Sequence, residues 1–197
     1  MDRISARVVV ALLALSALCV ALAPLAVPDT YDAVEHSVSE SGGQGVPGAW
    51  VARSGFVLLG LAVLLEASRS ARAWGPWGRG AHGIYGVGMI AVAIVSHRAW
   101  YPASWDAVED SLHSVAATAV GFAFVVGVIS VGVRRGPGAG PVRVLDTVAV
   151  VASVLLPLVM ITWPSVEGAA QRTLFAVGYT WYAVEAVLLA REVPRAG

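Results

Sequence analysis

Six apolar runs, each close to the length of one membrane crossing, dominate this chain and dictate the solvent in which it folds. They lie at about 7–27, 50–68, 80–97, 111–133, 144–163 and 171–190. About 20 apolar residues in an α-helix span the hydrocarbon core of a bilayer. A helix also satisfies its own backbone polar groups there. Charged residues make up only 13% of the chain, against about 25% in a typical soluble domain. These features predict an all-α, polytopic membrane protein. The expected architecture is a six-helix transmembrane bundle filling 1–197 as one domain.

Every basic residue is arginine. The absence of lysine excludes Schiff-base chemistry on a retinal or pyridoxal group and any lysine nucleophile. With six spans, Arg3, Arg7, Arg69, Arg72, Arg79, Arg134, Arg135, Arg143, Arg191 and Arg195 fall on one side. Arg53, Arg98 and Arg172 fall on the other. Such asymmetry marks the cytoplasmic face, so both termini are expected inside the cell membrane. The first run is long enough to span, and Pro24 follows its best small-residue cleavage site. A retained helix is therefore expected rather than a cleaved signal. Cys19 is the only cysteine, which excludes an internal disulfide and a thiolate metal cage. The net charge is zero, with no basic cluster clear of the helix ends, so no nucleic-acid partner is expected.

The connectors are polar or turn-rich: 28–48, 70–80, and Gly136-Pro137-Gly138-Ala139-Gly140-Pro141. Trp50, Trp100, Tyr101, Trp105 and Trp163 mark the expected outer boundary, and Trp74 and Trp77 the inner one. Against this background, ionisable groups stand out. His36, His97 and His113 fall at outer helix ends or loops, with Ser39, Glu40, Glu109 and Asp110 nearby. His36 and Glu40 are four residues apart, as are Glu109 and His113, which places each pair on one helix face. His36, His97 and His113 plus one carboxylate offer a zinc site with an open position for water. Ser39, His113 and Asp110 offer a nucleophilic triad, although no Gly-x-Ser-x-Gly elbow frames the serine. A third reading is an ionic lock, in which Glu40 or Asp110 pairs with Arg172 or Arg53 and steadies Ser39 and His113.

Toward the inner side, Glu66 is expected to pair with Arg69 at the membrane edge. His82 is expected to be interfacial, and Asp146 to complement the dipole of its own helix. Glu185 lies within the last span, with Trp181 and Tyr182 one turn earlier. An acid kept neutral there, among aromatic faces, would suit proton-initiated isoprenoid cyclisation.

The run Glu35-His36-Ser37-Val38-Ser39-Glu40-Ser41 leads into Trp50 and Gly55-Phe56-Val57-Leu58-Leu59-Gly60. Leu112-His113-Ser114, Gln171-Arg172 and Trp181 follow in order. This series resembles the bacterial integral-membrane family catalogued as domain of unknown function 998. The resemblance implies a six-helix bundle. It matches Ser39 and Glu40 to a serine–acid pair, His113 to a histidine opening the fourth span, and Arg172 to an arginine opening the sixth. Two positions depart from the family's pattern: Gln171 stands where glutamate is usual, and Ser96-His97 where Phe-Pro is common.

Three function classes stay open at this point. One is a small membrane enzyme acting on a lipid or prenyl substrate, with or without zinc. Another is a non-enzymatic protein: a transporter, immunity factor or partner-binding subunit. The last is an acid-catalysed terpene cyclase using Glu185. Membrane lipids are the expected surroundings, and a homo-oligomer is compatible with each class.

Overall fold

The computed structural model describes residues 1–101, 104–136, 138 and 140–191. Pro137 and Ala139 of the glycine-proline turn, and Arg195 of the arginine count, lie outside the described residues. Among the described residues seven α-helices follow one another: α1 (Arg3–Ala26), α2 (Val38–Ser41), α3 (Trp50–Arg69), α4 (Ala71–Ile94), α5 (Ala107–Arg135), α6 (Pro141–Thr162) and α7 (Glu167–Arg191). There is no strand among the described residues. Helices α1, α3, α5, α6 and the segment Pro164–Arg191 are each long and apolar enough to cross a membrane. The expected all-α bundle is present, and the chain is a multi-pass membrane protein by these helices.

The six long helices form a ring in chain order, α1–α3–α4–α5–α6–α7, closed by contact between α7 and α1. Short connections favour such antiparallel neighbours. Glycines set the closest approaches. A Cβ on Gly60 would come within 2.6 Å of the Gly86 carbonyl on α4, so α3 and α4 touch backbone to backbone, as small residues permit in lipid. A Cβ on Gly127 would meet the His82 ring at 2.6 Å from Nε2. That glycine on α5 therefore makes room for an imidazole from α4.

The expected loop at 70–80 is instead helix. Gly75 alone breaks it, at φ 65° and ψ −177°, with Pro76 next. Glycine takes that backbone conformation without a Cβ clash. Proline suits the first turn of the helix that resumes. Helix α5 starts four residues earlier than expected because Asp106 caps it, accepting from the Val108 and Glu109 amides at 2.8 and 3.1 Å. Helix α4 ends at Ile94, which leaves Ser96 and His97 in an unwound connector.

Helix α6 is the outlier. Only Asp146 and Ala149 of its 22 residues are buried, and its contact with α5 is slighter than that between α4 and α5. Its large apolar side chains, from Val144 to Ile161, face outward, as they do where lipid is the solvent. Trp50, Trp77 and Trp163 are exposed as belt residues should be. Trp74 is not: it is 1% exposed and belongs to the core.

Candidate functional site

Residues expected outward converge at the end of the bundle where α4 and α6 finish and α5 and α7 begin. The short helix α2 sits there as a lid element. Ser37 and Glu40 close a capping box around it: the Glu40 amide donates to Ser37 Oγ at 3.2 Å, and Glu40 Oε2 accepts from the Ser37 amide at 2.7 Å. The pattern Ser-x-x-Glu encodes this cap. Gln171 Oε1 on α7 accepts from the Val38 amide at 2.6 Å, which fastens α2 to α7. Ser39 is thereby presented inward.

His113, 3% exposed, spans two elements. Its Nδ1 lies 2.8 Å from the Val95 carbonyl and its Nε2 3.2 Å from Ser39 Oγ. A carbonyl only accepts, so Nδ1 carries the proton. Nε2 then presents a lone pair, and the Ser39 hydroxyl donates to it. This is the tautomer a base needs to take a proton from serine. Gln171 Nε2 stands 3.5 Å from the same oxygen.

Asp110 does not complete a triad. Its Oδ1 lies 2.6 Å from His97 Nδ1, off the line of a good hydrogen bond, and accepts from the Arg98 amide at 2.8 Å. Glu109 accepts from the Ser96 amide at 2.6 Å. Both acids therefore serve the unwound end of α4. The His97 and His113 rings lie 5.2 Å apart. His36 packs elsewhere, against Tyr31 and Trp100, with Nδ1 accepting from the Asp32 amide at 2.8 Å. Among the described residues, no three His, Cys, Asp or Glu side chains are grouped to hold a metal. The three-histidine zinc arrangement is thus not assembled.

Nor is the ionic lock. Arg172 reaches backbone and phenol oxygens: Nη1 donates to the carbonyls of Ala33 (2.7 Å), His36 (3.1 Å) and Gly168 (3.1 Å), and Nη2 to Tyr31 Oη at 2.6 Å. Burial raises the Tyr31 phenol above its ordinary pKa, which keeps it a donor toward the His36 and Ser37 carbonyls. Arg53 likewise donates to the Gly42 and Gly43 carbonyls. The two arginines hold a loop through its carbonyls, and among the described residues neither forms an ion pair.

Below Ser39 and His113 runs a cavity of about 130 Å³. Its wall is mostly apolar, including Phe56, Tyr85, Phe124 and Phe175. An apolar cavity of ~150 Å³ holds a benzene, so this one fits a short hydrocarbon segment. Gly121 on α5 lines it together with Ser153 and Pro157 on α6. A Cβ on Gly121 would meet nothing within 4 Å. The cavity therefore reaches the thin seam between α5 and α6.

At the opposite end, Glu185 is no free acid. Its Oε1 pairs with Arg135, and its Oε2 accepts from the Trp74 indole at 3.0 Å. Arg135 also pairs with Asp146 at 2.6 Å, and Asp146 accepts from the Trp181 indole at 2.8 Å. Arg135 and Asp146 escaped sequence reading because each had an ordinary role, as a basic helix end and a dipole-matched acid. His82 is fully buried, with Nδ1 2.9 Å from Tyr182 Oη, not interfacial. Glu66 is fully buried and has no hydrogen-bond partner among the described residues. Arg69 lies 3.7 Å from Asp2 instead.

Residues 8–188 match the model of a family described as "Protein of unknown function (DUF998)". No curated protein and no solved structure matches the chain.

Proposed function

The chain belongs to the DUF998 family, and from that premise we propose that it is a membrane enzyme that cleaves acyl esters of lipids with Ser39 as nucleophile. In this reading α4 completes six spans, and the arginine asymmetry sets both termini in the cytoplasm. Ser39 and its cavity then face the outer leaflet. The observation that carries the proposal is the 3.2 Å approach of Ser39 Oγ to the lone pair of His113 Nε2 at the mouth of an apolar cavity.

The chemistry follows from these atoms. His113 Nε2 takes the hydroxyl proton as Ser39 Oγ bonds to the ester carbonyl carbon. The ester C–O bond then breaks, and the leaving alcohol collects the proton from Nε2. Water, deprotonated by the same nitrogen, releases the acid and restores Ser39. In this reading Gln171 Nε2, 3.5 Å from Ser39 Oγ, donates to the developing oxyanion, the kind of group whose removal costs about 10²–10³ in rate. The Val95 carbonyl fixes the tautomer, the role a carboxylate plays in the familiar triads. The acyl or prenyl chain lies along the cavity and reaches it from lipid through the α5–α6 seam.

Glu185 as a proton-donating acid is not carried forward, because Arg135 and Trp74 occupy both its oxygens.

The test is covalent labelling of the purified protein by a fluorophosphonate carrying a short alkyl chain. Labelling at Ser39 is expected, lost in Ser39→Ala and reduced at least 100-fold in His113→Ala. In Gly121→Phe the filled seam should slow labelling by the alkyl probe but not by a methyl analogue. Labelling that persists in Ser39→Ala would sink the proposal. Absence of labelling in a folded wild-type protein would leave Ser39 and His113 as the polar wall of a lipid-binding cavity.

A further inference from the structure

At the end of the bundle remote from Ser39, a second cavity of about 620 Å³ opens between α4, α5, α6 and α7. Arg72, Arg134, Arg135 and Arg191 line it, with Glu185 and a wall of leucine and valine side chains. We propose that this cavity binds a phosphate group, either the head of an anionic amphiphile or a free phosphate.

Charge balance is the first argument. Four guanidinium groups face the two carboxylates that Arg135 bridges, Asp146 and Glu185. Among the described residues, no carboxylate lies within ion-pair distance of Arg72, Arg134 or Arg191. Helix dipoles do not absorb the excess. Two helices begin at this cavity and two end there, so charges of roughly half a unit at each terminus cancel. An anion fits the excess that the described residues leave.

Construction is the second argument. Arg135 is held by two carboxylates, and each of these is held by a tryptophan indole. Its planar fork is spent on those carboxylates, so Arg135 gives the cavity a rigid wall and leaves the ligand to the other arginines. Arg134 is also placed. Its Nε donates to the Arg72 carbonyl at 2.9 Å, and its side chain lies across the kink at Gly75, where a Cβ would stand 3.2 Å from Arg134 Cδ. With φ at 65°, position 75 strongly favours glycine. The kink thus brings the Arg134 side chain onto the backbone of Arg72, and both residues line the cavity from two helices. A guanidinium fork matches phosphate oxygens in geometry as well as charge. The apolar wall suits the chain of an amphiphile.

The site does not depend on the reading of Ser39. Its test uses the full-length protein in zwitterionic phosphatidylcholine nanodiscs, titrated with dihexanoyl phosphatidic acid, dihexanoyl phosphatidylcholine and inorganic diphosphate. Phosphatidic acid should bind at least tenfold more tightly than the phosphatidylcholine. The double variant Arg72→Gln/Arg134→Gln should lose at least tenfold. Both side chains are exposed, so an unchanged melting temperature is the check that the variant folds. Arg134→Lys, which keeps the charge and loses the fork, should fall between. Diphosphate binding as tight as the lipid would identify free phosphate as the source, and lipid binding alone the amphiphile. Failure of both phosphate probes to bind, or binding that survives the double variant, overturns the proposal.

Discussion

His113 owes its chemistry to a backbone carbonyl. The Val95 oxygen holds the Nδ1 proton, so the other nitrogen is left free for the Ser39 hydroxyl. The carbonyl becomes available because α4 ends at Ile94, just before it. The loop beside this pair also leans on a carboxylate. Asp32 Oδ1 accepts from the Val34 amide at 2.7 Å and the Glu35 amide at 3.4 Å. Those backbone bonds hold its pKa below the ordinary 3.8. A depressed carboxylate stabilises the folded loop above the unfolded pKa, and that contribution disappears as pH falls through the folded value. The Val34 amide proton resonance should therefore shift upfield on acidification with a midpoint below pH 3.8, with no such transition in Asp32→Asn.

Helix α2 has four residues, too few to be stable alone. It exists because α7 and its own capping box hold it. Arg172 makes three hydrogen bonds into the loop before it, and a lysine has neither the reach nor the fork to replace them. Arg172→Lys should destabilise this loop by about 1.5–3 kcal/mol, the scale of hydrogen bonds to charged groups. The measurement is cleavage after Glu35 and Glu40 by a glutamate-specific protease, faster in the variant while the long helices stay intact. The long helices were legible in the sequence because lipid demands unbroken apolar runs. The capping box at Ser37 and Glu40 follows a local pattern. The fate of His36 was not legible, because its partners Tyr31 and Trp100 come from a loop and a helix-end connector brought together only by folding. The helical path through Gly75-Pro76 was hidden for a local reason: the same dipeptide signals a turn or a kink, and packing of α4 between α3 and α5 selects the kink.

Across the whole molecule, two cavities lie at opposite ends of one ring, and a layer of buried aromatic side chains separates them. Trp74, His82, Trp181, Tyr182 and Phe124 fill that layer, ring against ring. Arg135 joins it to α5, α6 and α7. Removing Arg135 would strand two acids, and breaking such a buried pair costs about 3–5 kcal/mol. Arg135→Ala should therefore lower the unfolding free energy by that amount. Arg135→Met with Asp146→Asn and Glu185→Gln should recover most of it, as read from thermal unfolding in detergent. The same network fixes α6 at its start, where Asp146 and Ala149 are its only buried residues. Its far end is fixed by the short turn into α7. A rod supported at both ends yields between them, at its weakest cross-section. In α6 that section is Pro157, which lacks one backbone hydrogen bond and stands at the cavity seam opposite Gly121. A bend there is expected to widen the gap to lipid while both supports stay still, opening the ring at one joint without changing its shape.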